Sequence, residues 1–196
     1  MKDRIMMVVF VIVSGTILTG ALVYVSAATT PIIERNAAVR LKKNVLLALA
    51  IPTGQTDAEI EQTFAASVEE RPSGGRAFFA AKSTGDLAFE YTGSGLWGPI
   101  TGAIAVSRDL ATIKGLTVFH QEETPGLGSR ITEPAYLRQF QGKSFQSGLK
   151  LVPPGKGTTE DTIDAITGAT MTCNAFIKIL NDNLGAATSA IKGGSP

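Results

Sequence analysis

An α+β fold, an antiparallel sheet with flanking helices preceded by one N-terminal transmembrane helix, follows from three features of this 196-residue chain. Ile5 to Ala27 carries no charged residue. Between Ala77 and His120 lie four short β-like runs separated by turn residues. From Met171 onward, apolar residues return at helical spacing. The first feature predicts a membrane anchor, the second an antiparallel meander, and the third a helix to cover it.

Taken in order, the apolar run would reach ~34 Å as a helix, enough to cross a bilayer. A cleaved signal peptide ending near Val25-Ser26-Ala27 is the competing reading, but the run is long for a signal core. Thr30-Pro31 is expected to start a second helix, with Pro31 at its first position, running to Ala50 and ended by Ile51-Pro52-Thr53-Gly54. Thr56 and Glu59 have the spacing of a capping box, and Ile60, Phe64 and Val68 line one face of the short helix behind it. Arg71 to Gly75 reads as a loop. Strands are predicted at 77–82, 87–91, 100–106 and 116–120, with a further one at 149–152. A short helix opens at Pro134 and turns Tyr136, Leu137 and Phe140 inward before Gly142. Pro153 to Gly157 is a flexible loop, and the last helix spans about 171–183. The expected organisation is an anchor at 1–29, a juxtamembrane helix and linker at 30–54, and one domain at 55–196.

Composition narrows the function. A net charge of +1, with no basic run bearing interleaved aromatics, argues against a nucleic-acid surface. One cysteine, Cys173, excludes an internal disulfide and the multi-cysteine ligation of iron–sulfur clusters. With one histidine as well, a protein-only transition-metal site is not expected.

Asp164-Ala165-Ile166-Thr167-Gly168-Ala169-Thr170 is the most informative stretch. It brings hydroxyls and small residues to a helix start, where unpaired N–H groups favour an anion, above all phosphate. The plain alternative is that Thr170 merely caps the helix. A second motif, Glu123-Thr124-Pro125-Gly126-Leu127-Gly128, offers a carboxylate, a hydroxyl and a turn. Gly93 to Gly98 satisfies the G-x-G-x-x-G pattern, yet Pro99 and a β-like run follow it instead of a helix, so a dinucleotide site is not expected. Trp97 suits either a flanking aromatic or a core residue. Cys173 reads as a small buried residue, and His120, Lys150 and Lys156 receive no role.

Together these motifs resemble the FMN-binding domain found in the C subunit of the sodium-translocating NADH:quinone oxidoreductase, and in the G subunit of the related Rnf complex. Lys42-Lys43-Asn44-Val45-Leu46, Gly95-Leu96-Trp97-Gly98 and the single N-terminal membrane segment extend the resemblance along most of the chain. It leans toward the sodium pump, while the shorter chain leaves the Rnf relative open. The resemblance implies that Asp164, Thr167, Gly168 and Ala169 form a flavinylation signal, with Thr170 esterified to the phosphate of FMN by a separate flavin transferase. It implies ring contacts from Glu123, Thr124, Leu127, Gly128 and Trp97. It also implies a bacterial inner-membrane protein working with integral membrane and flavin or iron–sulfur subunits, its flavin domain on the periplasmic side. The charge rule does not support that orientation, since Arg35, Arg40, Lys42 and Lys43 follow the span. A stand-alone membrane-tethered electron-transfer protein and a non-catalytic tethered binding module are the readings from other classes.

Overall fold

The computed structural model describes residues 2–193. These residues form two compact units, divided between Val39 and Arg40. Helix α1 (Lys2–Ala48) begins in the first and ends in the second. The expectation of two helices, with Pro31 starting the second, is corrected here: Pro31 lies inside α1. Proline lacks the N–H that would bond the carbonyl four residues back. In the same turn, hydroxyls supply additional bonds: Thr29 donates to the Val25 carbonyl (2.9 Å) and Thr30 to that of Ser26 (2.7 Å). The apolar part of α1 is exposed throughout, and the helix is long and apolar enough to cross a membrane.

In the second unit, helix α2 (Asp57–Ser67) carries the predicted capping box. The Thr56 hydroxyl accepts from the Glu59 N–H, and the Glu59 carboxylate accepts from the Gln55 and Thr56 N–H groups. Those bonds, the Thr56 N–H first and the Gln55 N–H next, hold the Glu59 pKa below its ordinary value against a small opposing desolvation. The sign follows from the depressed folded-state value. The contribution is present above the unfolded pKa and is lost as pH falls through the folded one. Thermal unfolding of Glu59→Gln against parent should therefore differ at neutral pH, and the gap should close on acidification.

Five strands follow as an uninterrupted antiparallel meander: β1 (Val68–Ser73), β2 (Arg76–Ala81), β3 (Leu87–Ser94), β4 (Pro99–Val106) and β5 (Ile113–His120). Strand β1 was not expected. Its Glu69, Glu70 and Arg71 are exposed and break the apolar alternation, and Pro72 is tolerated because β1 lies at the sheet edge. Val68, assigned to a helix face by periodicity, instead starts this strand.

Pairing register sorts the two faces. Phe78, Phe89, Ile104 and Leu116 form one row across β2 to β5. Helix α4 (Thr170–Gly193) packs here, contributing Cys173, Phe176, Ile177, Leu180 and Leu184 to a common core. The adjacent row, Phe79, Ala88, Ala105 and Gly115, faces the other way. There Phe79 meets Phe64 of α2 edge-on at 5.6 Å, and Gly115 lies against the Ala48 carbonyl at the end of α1. A Cβ on Gly115 would collide with that backbone.

Between β5 and α4 the chain forms the short helix α3 (Pro134–Leu137), flanked by 3-10 turns at Gly128–Thr132 and Arg138–Phe140. Tyr136 and Phe140 are buried as expected, whereas Leu137 is only partly so. Strand β6 (Lys150–Val152) pairs in parallel with the unexpected β7 (Thr162–Asp164). Helix α4 also runs ten residues beyond its expected end at 183. Gly185 is exposed, and burial of Leu184 and Ala187, with Ala190 and Ile191 against the core, carries the helix past it.

Candidate functional site

Three loops at one end of the sheet converge on the start of α4. The β3–β4 hairpin carries Gly95 to Gly98, closed by a 2.8 Å bond from the Gly95 N–H to the Gly98 carbonyl. The Gly-rich pattern thus makes a hairpin turn and opens no helix. After β5 comes the Glu123–Gly128 loop, where the Thr124 carbonyl accepts from the Leu127 and Ser129 N–H groups. The third loop is the turn after β7, whose Gly168 has φ +82, a left-handed conformation that favours glycine.

Between them lies a cleft of about 340 Å³, within the range of small-molecule sites. Leu96, Trp97, Thr124, Leu127, Gly128, Gly168, Ala169, Thr170, Met171 and Thr172 line it. Other depressions of similar size exist, but the chemistry of this one sets it apart. Outside α1, the exposed large hydrophobic residues among the described ones are Leu96, Trp97, Leu127 and Met171, and all four line this cleft. Trp97 is 71% exposed, which a core role excludes. At the other end of the cleft, Thr170 is the first residue of α4 and is exposed. The first helical bond runs from the Cys173 N–H to the Ala169 carbonyl at 2.9 Å. The Thr170, Met171 and Thr172 N–H groups therefore have no acceptor among the described residues. Neither do the hydroxyls of Thr167 and Thr170, so Thr170 does not cap its own helix.

The two acids face inward. Asp164 accepts from the Lys156 and Gly157 N–H groups at 2.9 and 2.7 Å, fastening the 153–157 loop to β7. Glu123 is buried, and neither of its oxygens lines the cleft. One accepts from the Leu96 and Trp97 N–H groups at 2.7 and 3.2 Å, the other from the Thr172 hydroxyl at 2.7 Å. Ala169 is buried beneath the turn, and Gly128 packs against Glu123 and Thr172. Cys173 is buried and its thiol accepts from the Ile166 N–H at 3.4 Å. His120 is half exposed beside Glu122, 3.5 Å away.

Sequence reasoning passed over Leu96, Met171 and Thr172. Met171 had a visible signal: it stands off the apolar face that Phe176, Leu180 and Leu184 define, so a large hydrophobe there points outward. Thr172 had none, because its value depends on a carboxylate 49 residues away.

The family model for an FMN-binding domain matches residues 95–185, which contain the whole cleft. The C subunit of the Na+-translocating NADH-quinone reductase from Chlamydia pneumoniae is 38% identical over 109 residues, covering 45% of this chain and 34% of that protein. Its Pasteurella multocida counterpart is 38% identical over 93 residues, covering 45% and 36%. Two solved structures share the fold. Shewanella oneidensis NqrC superposes with a TM-score of 0.66 at 25% identity, covering 74% of this chain and 91% of that one. The same protein from Parabacteroides distasonis gives 0.67 at 27%, covering 78% and 92%. The likeness is to NqrC, in sequence over part of the chain and in fold over most of it. The matched stretch spans about a third of the length of the curated NqrC-type relatives. The segment that the family model matches begins at the β3–β4 hairpin and ends inside α4.

Proposed function

We propose that this chain is a membrane-anchored flavoprotein subunit whose cleft holds FMN, joined by a phosphoester to Thr170. One observation carries the reading: the four exposed large hydrophobes outside α1 surround a cleft that ends at an unbonded threonine hydroxyl and three free helix N–H groups. That combination fits a flat apolar ring at one end and a phosphate at the other. Leu96, Trp97, Leu127 and Met171 would lie along the ring system, with Thr124 offering a hydroxyl. The Thr167 side chain and the free amides at the start of α4 would face the phosphate.

Attachment would form a bond from the Thr170 oxygen to the FMN phosphorus of FAD and break the pyrophosphate, with AMP leaving and the hydroxyl proton lost. A separate flavin transferase would carry this out. The bound flavin would supply electron transfer, and this chain would hold it and fix its surroundings. The NqrC-type relatives and the 0.66–0.67 superpositions support a place in a sodium-translocating NADH:quinone oxidoreductase over the Rnf alternative. The partners would then be integral membrane and flavin or iron–sulfur subunits of that complex. The intact mass of the chain purified from its own membrane tests the assignment, since a chain without the FMN increment would overturn it.

Anchoring is a separate expectation, resting on the apolar part of α1. We expect the chain to resist carbonate extraction. External protease should cut the flavin domain in cells stripped of any outer barrier. Release by carbonate would rule out a spanning anchor, and full protection would place the domain on the cytoplasmic side. The organisation at 1–29, 30–54 and 55–196 stays a proposal to be tested by limited proteolysis. Copurification with other membrane subunits would set this reading apart from a stand-alone electron carrier.

A further inference from the structure

Glu123 is 4% exposed, and no salt bridge reaches it among the described residues. A buried carboxylate without a cation persists only when hydrogen bonds satisfy it. Here all three donors come from other walls of the cleft. The Leu96 and Trp97 N–H groups belong to the β3–β4 hairpin, and the Thr172 hydroxyl belongs to the first turn of α4. The carboxylate itself hangs from the third wall, the 123–128 loop, whose start is fixed by a 2.6 Å bond from the Glu123 N–H to the Gln121 side chain.

Its surroundings are shaped for it. A Cβ on Gly95 would run into one carboxylate oxygen. A Cβ on Gly128 would lie 2.9 Å from the other and 2.7 Å from the Thr172 hydroxyl. Both glycines leave room for this side chain and for its bond to Thr172.

We propose that Glu123 is a positioning residue, a clasp that holds the three walls of the cleft in one register through Thr172 and the Leu96 and Trp97 amides. Removing the Thr172 hydroxyl leaves one buried carboxylate oxygen without a donor, a cost that is relieved by turning the group toward water. The bonds to Leu96 and Trp97 leave with it. A change on α4 thus loosens a hairpin more than seventy residues earlier in the sequence.

Amide hydrogen exchange on the full chain in detergent, without flavin, tests this directly. In the parent, the Leu96 and Trp97 amides should exchange at least ten-fold slower than in an unstructured chain, although both side chains are exposed. Thr172→Val, which keeps the shape and removes the hydroxyl, should speed those two amides about ten-fold. Phe89 and Ile104 in the core strands should be unaffected. Thr172→Ser should restore slow exchange. Free-loop exchange at Leu96 and Trp97 in the parent would overturn the clasp without any variant. So would parent-like exchange in Thr172→Val, acceleration spread evenly over the sheet, or no rescue by serine.

A second arm rests on the flavin reading. In loaded chains, Thr172→Val should lower the fluorescence anisotropy of the attached flavin and Thr172→Ser should restore it. Unchanged anisotropy in Thr172→Val would overturn the link between clasp and ligand. A chain that never carries flavin but passes the exchange test would overturn the cofactor assignment and leave the clasp standing.

Discussion

Thr170→Ala is expected to abolish covalent FMN, and Thr170→Ser to retain at least part of it. The serine keeps a nucleophilic oxygen on the same Cβ at the first position of α4, and the three free N–H groups are backbone and survive both changes. The alanine chain should fold as the parent does, because the hydroxyl it loses has no bond among the described residues. Intact mass reports attachment, and circular dichroism the fold. A Thr170→Ala chain still carrying the FMN increment would move the attachment to another hydroxyl, with Thr167 first in line because it lies on the same turn, three residues earlier.

Phe176→Ala should have the largest effect on stability. Its ring is fully buried and lies 5.8 Å from Phe140, 6.1 Å from Tyr91 and 6.3 Å from Tyr136. It is therefore the point at which α4, the sheet and the α3 region meet. Truncating such a residue typically costs about 3–5 kcal/mol, a sizeable part of the roughly 5–15 kcal/mol available to a domain. Urea denaturation should show a lower midpoint with an unchanged slope. Phe176 sits nearly two helical turns beyond Thr170, so flavin attachment should fall as well, in proportion to the unfolded fraction. A midpoint within error of the parent would mean that the aromatic cluster does not anchor the helix.

The sheet was legible where its strands are apolar. The runs at 77–82, 87–91, 100–106 and 116–120 all fall within or against β2 to β5, because buried strands declare themselves through β-branched and aromatic residues between turns. Strands β1 and β7 escaped for opposite reasons. The first is polar because it needs only one neighbour and little burial, and the second is too short for any period to appear. Pro31 misled because a local rule about helix starts was applied where a continuous helix overrode it.

At the site, the turn before α4 and the Glu123 loop could be singled out through the family resemblance that the two motifs carry together. What those acids do could not. The resemblance put Asp164 in a flavinylation signal and Glu123 against the ring, yet the fold directs both at backbone N–H groups of other loops. Pairings of that kind depend on which loops meet, and sequence spacing does not carry that information.

The two rows of the sheet described above have opposite sensitivities to change. On the side of α4, the row Phe78, Phe89, Ile104 and Leu116 is built of bulk, so the harm comes from subtraction: each lost ring or branch leaves a void that rigid neighbours cannot fill. Across the sheet, Ala88 and Ala105 have no accessible surface, and Gly115 already touches the backbone at the end of α1. There the harm comes from addition, since even one extra methylene has nowhere to go. A random substitution that both faces could accept is accordingly rare. Substitution should be tolerated best at the polar edge, at the exposed positions 69–72 of β1, where neither volume limit applies.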